Sequence, residues 1–304
     1  MTPEQEQADE LRHLRFQGAK TARHRPLACG RPTSAPAPRW QPPVNERPDH
    51  PDEFLCWLLD RAGLSISLYR TRPLERRLAA CLRTLRVAST EAAQTRLKEH
   101  PELLPAALGS LLLGVTAFFR DPPVFDALRD LLPKLPSLSS RLRVWSVACS
   151  DGSELYSVAI VLAELALLDG SDLLGTDCRP EAIRQAQNAL YSPAGLADLA
   201  PLLRQRYFEA EGGRCRVQAL LRSRARFEVH DFFQHVQRGP WDVILWRNTA
   251  IYLNLAAARA VWQRLAEQLR PGGILITGKA ERPDCGVPLT RLTNCIYMRT
   301  GVGT

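Results

Sequence analysis

The spacing of apolar positions changes once along the chain, and that change divides it. From Phe54 to about Leu132 the apolar residues recur at helical intervals. Phe54, Leu55, Leu58 and Leu59 make one face, and Leu74, Leu78, Cys81, Leu82 and Leu85 make another. Pro73 suits the first position of the helix carrying the second set, where a missing N–H costs nothing. Further helices are predicted near 89–99, 101–112 and 123–132, with no strand among them. After Ser139 short apolar runs alternate with amphipathic stretches. Segments 143–148, 172–177, 226–231, 241–246, 273–277 and 295–298 read as strands. Segments 154–168, 180–190 and 256–269 read as helices, the last stopped by Arg270-Pro-Gly-Gly273. This alternation predicts an α/β domain on a mostly parallel, buried sheet. Such sheets bind ligands beyond the carboxyl ends of their strands.

The first 51 residues are rich in Pro, Arg and Ala and carry no sustained apolar period. They predict a mobile tail, with at most a short helix near 4–16. The expected layout is a tail at 1–51, a helical domain at 52–135 and the α/β domain at 136–304. A composition of 45% hydrophobic and 24% charged residues over 304 positions is that of a soluble globular protein. No run approaches the roughly 20 apolar residues of a membrane span. The N-terminal residues lack the apolar centre of a signal peptide. A cytoplasmic monomer without membrane insertion is therefore expected. The eight cysteines are widely spaced, which predicts reduced thiols and neither a metal site nor a disulfide framework. A net charge of +8 favours acidic partners. With 7% aromatics and no nucleic-acid motif, an acidic protein surface is a better partner than nucleic acid, and a merely solvated basic surface is the plain alternative.

Candidate chemistry gathers where the first strand ends, in Ala148-Cys-Ser-Asp-Gly152-Ser-Glu154. One glycine stands where a dinucleotide fold wants a spaced set of three, which argues against NAD or FAD. A single glycine among small residues still permits close approach by an uncharged nucleoside. Asp177, 25 residues beyond Gly152 at the tip of the second strand, can accept both hydroxyls of a ribose. It can equally cap a helix or a turn. Glu154 offers an anion to a ligand ammonium, or simply a favourable charge in a first helical turn. Together they outline a pocket for an adenosyl ligand with an ammonium group, such as S-adenosyl-L-methionine.

Five segments then resemble one family in order. Thr116-Ala-Phe-Phe-Arg-Asp121 is similar to the threonine–phenylalanine–phenylalanine–arginine segment of CheR-type chemotaxis receptor methyltransferases. The run from Arg143 to Ser157 resembles their cofactor loop, Thr176-Asp177 their ribose site, and Asp231-Phe232 the pair flanking the adenine. Trp246-Arg-Asn-Thr-Ala-Ile-Tyr252 resembles their Cys-Arg-Asn-Val-Leu-Ile-Tyr stretch. The resemblance covers the chain from about Asp52 onward. It implies a Rossmann-like S-adenosylmethionine-dependent methyltransferase sheet, an N-terminal all-helical domain and a small antiparallel β insert at 206–224 turned at Gly212-Gly213. It implies that Thr116, Arg120, Ala148, Gly152, Glu154, Asp177, Asp231, Phe232 and Asn248 bind the cofactor, and that Arg120 and Tyr252 face the transferred methyl. The product would be a methyl ester on a glutamate of a chemoreceptor or similar acidic helical protein. Arg76, Arg83 and Arg86 share one side of the helix after Pro73; they form either the family's basic docking face or a solvated one.

Glutamate, with a pKa near 4.3, is already ionised at neutral pH, so the implied reaction needs alignment and desolvation rather than a general base. Three positions depart from the family. Gly114 stands where an asparagine is common, Ser153 and Leu155 replace the Glu and Pro of Gly-Glu-Glu-Pro-Tyr-Ser, and Lys279 replaces the His of Gly-His-Ser-Glu. Two rival readings stay open at this point: a non-catalytic adaptor that keeps the fold, and a methyltransferase for a different protein or a small acidic molecule.

Overall fold

The computed structural model describes residues 52–112, 116–135, 141–232, 239–284 and 286–300; the tail at 1–51 and Gly114 lie outside them. The first helix, α1 (Glu53–Arg61), is capped by Asp52, whose carboxylate accepts the N–H groups of Phe54 and Leu55. Then come α2 (Thr71–Leu85), α3 (Thr90–Glu99) and α4 (Leu104–Leu111). Their apolar faces close on one another, with Leu55, Leu58, Leu59, Leu74, Cys81 and Leu111 in one buried cluster. The sequence starts α2 at Pro73, whereas the structure starts it at Thr71. Proline remains within the first turn, where N–H groups have no intrahelical partner to lose. The stretch predicted as one helix over 101–112 is a 3-10 turn, Pro101–Leu103, followed by α4.

The next helix, α5 (Pro122–Leu131), packs elsewhere: Val124, Phe125 and Leu128 join the core of the sheet. The chain continues through β1 (Arg143–Val147), α6 (Ser153–Glu164), β2 (Asp172–Asp177), α7 (Pro180–Asn188), β3 (Leu190–Tyr191) and α8 (Pro201–Tyr207). There follow β4 (Phe208–Glu211), β5 (Arg214–Val217), α9 (Ala219–Arg222), β6 (Ala225–Val229), β7 (Trp241–Trp246), α10 (Leu255–Gln268), β8 (Leu269–Thr277), β9 (Leu289–Arg291) and β10 (Ile296–Arg299).

Seven of these strands form one sheet in the order β6-β2-β1-β7-β8-β10-β9. The first five are parallel, and β10 runs antiparallel to both β8 and β9. Alternate residues serve opposite faces. Val144, Val243, Leu245, Ile274 and Ile276 meet α5 and α6 on one side. Trp145, Leu174, Ile244, Trp246 and Leu275 meet α10 on the other. Burial on both faces is why these strands read as continuous apolar runs. The chain leaves β1 toward β2 and β6, then returns to the opposite side of β1 as β7, so a crevice opens at the carboxyl ends of β1 and β7.

Two details differ from the sequence expectation. Strand β8 begins at Leu269, directly after α10, and Arg270-Pro-Gly-Gly273 forms a bulge opposite Trp241–Val243, with Gly272 at φ 77°. The short strands β3, which lies outside the 206–224 expected for the insert, and β9 are also absent from the sequence expectation, because two or three residues carry too little pattern. The insert is a separate sheet of order β3-β5-β4. Gly212 and Gly213 turn its hairpin with φ of 56° and 75°, as a two-residue turn of the left-handed kind requires. Among the described residues no helix is long and apolar enough to cross a membrane.

Candidate active site

The helical segment is stitched onto the loop after β7. Tyr69 bridges Leu253, the Arg70 N–H donates to the Tyr252 carbonyl at 2.8 Å, and the Asn254 N–H donates to Leu68 O at 3.0 Å. That seam roofs the crevice. The resulting cleft is lined by Thr116, Arg120, Ala148, Glu154, Asp177, Phe232, Asn248 and Tyr252, all anticipated from the sequence. Gly152 and Asp231 are set back from its wall. Arg76, Arg83 and Arg86 are exposed on α2 and at its C-cap, and they do not line it.

The loop after β1 explains how one glycine suffices. Ala148 and Ser150 adopt φ of 56° and 52°, and Gly152 adopts 85°. Left-handed backbone at non-glycine residues costs about 1–3 kcal/mol each and persists only where neighbours enforce it. Here the Cys149 N–H donates to Thr176 O, and the Ser150 N–H donates to Asp177 Oδ2, both at 2.9 Å. Gly152 itself is irreplaceable on space as well as φ. A Cβ there would stand 2.9 Å from the Ala186 Cβ and 3.0 Å from the Phe227 ring.

Asp177 is buried at the tip of β2 and is held by more than the loop. The Arg179 N–H and Nε reach Oδ1 at 3.0 and 2.9 Å, and Arg179 Nη2 reaches Oδ2 at 3.1 Å. Burial works against the Arg179 charge, but the Asp177 carboxylate outweighs it and the guanidinium sits above its ordinary value. Across the cleft, Glu154 in the first turn of α6 accepts Ser146 Oγ at 2.9 Å and Arg247 Nη1 at 3.0 Å. Arg247, whose side chain is 1% exposed, also donates through Nη2 to Asp121 at 2.9 Å and to the Arg120 carbonyl at 2.8 Å. Asp121 in turn pairs with Lys279 at 2.7 Å. These contacts hold Thr116–Asp121, with its left-handed Phe119 and Asp121, against the ends of β7 and β8.

Asn248 stands at φ 58°, a conformation its short polar side chain tolerates. Its N–H and that of Gly278 both donate to Glu281 Oε2 at 2.8 Å. Burial pushes the Glu281 carboxyl up, opposed by these N–H groups. At the cleft mouth burial raises the Tyr252 hydroxyl, while the nearby charges of Arg77 and Arg120 draw it back down. Arg77 is fixed by Nε and Nη2 on the Ser110 carbonyl at 3.2 and 3.1 Å. The apolar side is Phe232, edge-on to Trp246 at 5.8 Å, with Leu253 and Tyr69. Burial raises the Tyr69 hydroxyl, followed by the charges of Cys178, Asp231 and Asp177.

Two of the departures from the family pattern have structural accounts. Leu155 is fully buried in the sheet core, Ser153 donates through its N–H and hydroxyl to Asp151, and the Lys279 charge is taken up by Asp121. Among the cleft residues that sequence reasoning missed are Tyr69, Arg179 and Arg247, and Arg77 acts on Tyr252 from beside the cleft. Arg247 and Arg179 lie beside motif residues, and could have been found there. Tyr69 and Arg77 arrive only through packing of the helical segment.

The donor set fits an adenosyl ligand carrying an ammonium group. A buried carboxylate at a strand tip can accept a diol, a second carboxylate in a helix's first turn can face a cation, and Phe232 and Leu253 offer apolar faces for a base. Fold and cleft together define an S-adenosylmethionine-dependent methyltransferase. Residues 114–289 match the family described as CheR methyltransferase, SAM binding domain. The chain is 30% identical to the chemotaxis protein methyltransferase of Listeria monocytogenes over 78% of its length and 92% of that protein's. It is 30% identical to the Escherichia coli K12 chemotaxis protein methyltransferase over 74% of its length and 81% of that protein's. This protein belongs to the CheR methyltransferase family, and its cofactor is S-adenosyl-L-methionine.

Proposed function

We propose that the enzyme forms methyl esters on glutamate side chains of a chemoreceptor-like protein. The observation that carries this reading is that Arg120 and Tyr252 line the same cleft, with the Arg77 charge close enough to act on the Tyr252 hydroxyl, where an incoming carboxylate would arrive. When bound, S-adenosylmethionine supplies a methyl group that passes from sulfonium to a carboxylate oxygen, leaving a thioether. The chain's own contribution is placement. Arg120, with its backbone fixed by Arg247, donates paired hydrogen bonds to the carboxylate. The Tyr252 hydroxyl, protonated at neutral pH and pushed further up by burial, borders the transfer site. Glu154 faces the cofactor amino group and Asp177 the ribose hydroxyls. Thr116, Ala148 and Asn248 line the remaining wall, and Phe232 flanks the base with Asp231 set back behind it. The exposed Arg76, Arg83 and Arg86 dock an acidic helical surface, consistent with the net charge of +8. The names of the Listeria and Escherichia relatives favour a chemotaxis substrate.

The test is transfer of radiolabelled methyl groups to chemoreceptor-containing membranes, followed by release with base. Label should leave as methanol, and Arg120→Ala should slow transfer by about 100-fold, the scale of a lost alignment. Base-stable label, or an Arg120→Ala enzyme as fast as the parent, would refute the assignment.

A further inference from the structure

Asp177 has more donors than a ribose-binding carboxylate can keep. An ionised carboxylate offers about four lone-pair directions. Oδ1 takes the Arg179 N–H and Nε, and Oδ2 takes the Ser150 N–H and Arg179 Nη2. All four directions are therefore in use. Two of the donors are backbone N–H groups, fixed by the turn after β2 and by the loop after β1. The other two belong to the Arg179 side chain, which is 16% exposed and lines the cleft. With the two backbone donors fixed, the lone-pair directions a diol could take over are the two that the guanidinium holds.

We infer that Arg179 is a competitive latch on the cofactor site: it occupies the ribose-binding face of Asp177 and must swing away before the adenosyl group can seat. This rests on the reading of Asp177 as the ribose acceptor. The guanidinium has a second partner in Ser150 Oγ, at 3.2 Å from Nη2, a contact it also gives up on swinging away. Arg179 thereby sets cofactor affinity without touching the transferred methyl. Because the diol is common to S-adenosylmethionine and S-adenosylhomocysteine, the latch weakens both alike and leaves their relative affinity unchanged.

Calorimetric titration of the full chain with S-adenosylhomocysteine, and with its 2′,3′-dideoxy analogue, tests this. Arg179→Gln and Arg179→Ala should bind S-adenosylhomocysteine about tenfold more tightly than the parent, as expected for removing a charge-assisted pair that the diol must displace. Neither variant should change affinity for the dideoxy analogue, which makes no claim on Asp177. Circular dichroism of both variants separates binding from folding, and the glutamine variant keeps polar bulk if alanine unsettles the turn. Unchanged or weaker binding of S-adenosylhomocysteine by a folded Arg179 variant would overturn the latch, as would equal tightening of both ligands. Asp177→Asn gives the independent check: if it leaves S-adenosylhomocysteine affinity intact, the ribose reading falls and the latch falls with it. If it weakens binding while the Arg179 variants do not tighten it, only the latch falls.

Discussion

Replacing Arg247 with methionine should cost the fold more than any surface substitution. Its guanidinium, 1% exposed, meets Glu154 at 3.0 Å and Asp121 at 2.9 Å, donates to the Arg120 carbonyl at 2.8 Å and lies 5.5 Å from the centre of the Phe125 ring. Asp121 would retain Lys279, but Glu154, 13% exposed, would retain only the Ser146 hydroxyl. Removing one partner of a buried ion pair costs about 3–5 kcal/mol because the other charge stays buried. At about 2–4 °C per kcal/mol for a chain of this size, the midpoint of thermal unfolding should fall by roughly 6–20 °C. Methionine preserves much of the stem's packing, so the loss reports on charge and hydrogen bonding. The decisive measurement is a double-mutant cycle with Glu154→Gln, followed by circular dichroism. If the two groups share one buried pair, the combined loss should be smaller than the sum of the single losses by about 1–3 kcal/mol. Strict additivity, or an Arg247→Met midpoint within about 2 °C of the parent, would show that this contact does not hold the cleft together.

Two further predictions follow from perturbed groups around the cleft. Burial raises the Glu281 carboxyl above its ordinary 4.5, so the folded chain keeps a proton there over a range where the unfolded chain has lost it. Stability contributed by that group therefore falls as pH rises above about 4.5 through the folded value. Glu281→Gln cannot ionise, so its midpoint relative to the parent should be more favourable at pH 7 than at pH 4; a constant or reversed difference in thermal melts would count against this. Burial, followed by the charge of Asp177, pushes the Cys178 thiol up to about 12, leaving a thiolate fraction at pH 8 of about one in ten thousand. Alkylation of Cys178 by iodoacetamide, followed by mass spectrometry, should be slow in the folded protein and fast in denaturant. Comparable rates in the two states would refute that environment.

Much of the molecule was legible in the chain itself because the signals were local. The runs ending at Val147, Asp177 and Trp246 announce strands buried on both faces, and their alternation with helices dictates a parallel sheet. Gly212-Gly213 announces its hairpin through the backbone such a turn demands. The candidate side chains Thr116, Arg120, Glu154, Asp177, Asn248 and Tyr252 stand in segments whose motifs give them away. What escaped were features whose cause is distant in sequence. The start of β8 at Leu269 depends on pairing with Trp241, and the bulge there absorbs the Pro-Gly-Gly that otherwise reads as a stop.

The charge arrangement of the cleft belongs wholly to the tertiary structure. Sequence names Glu154 and Asp177 as carboxylates and leaves their partners open. Only folding brings Arg247 between Glu154 and Asp121, sets Lys279 on Asp121, and closes Arg179 over Asp177. It likewise carries Tyr69 from the helical segment to the cleft wall and brings the Arg77 charge to bear on Tyr252. Periodicity and glycine placement act through neighbours a few residues apart, so sequence by itself determined the elements and the chemistry available to them. Partner choice depends on which strand tips converge at the crossover between β1 and β7, so the tertiary structure alone decided which charges are paired with which.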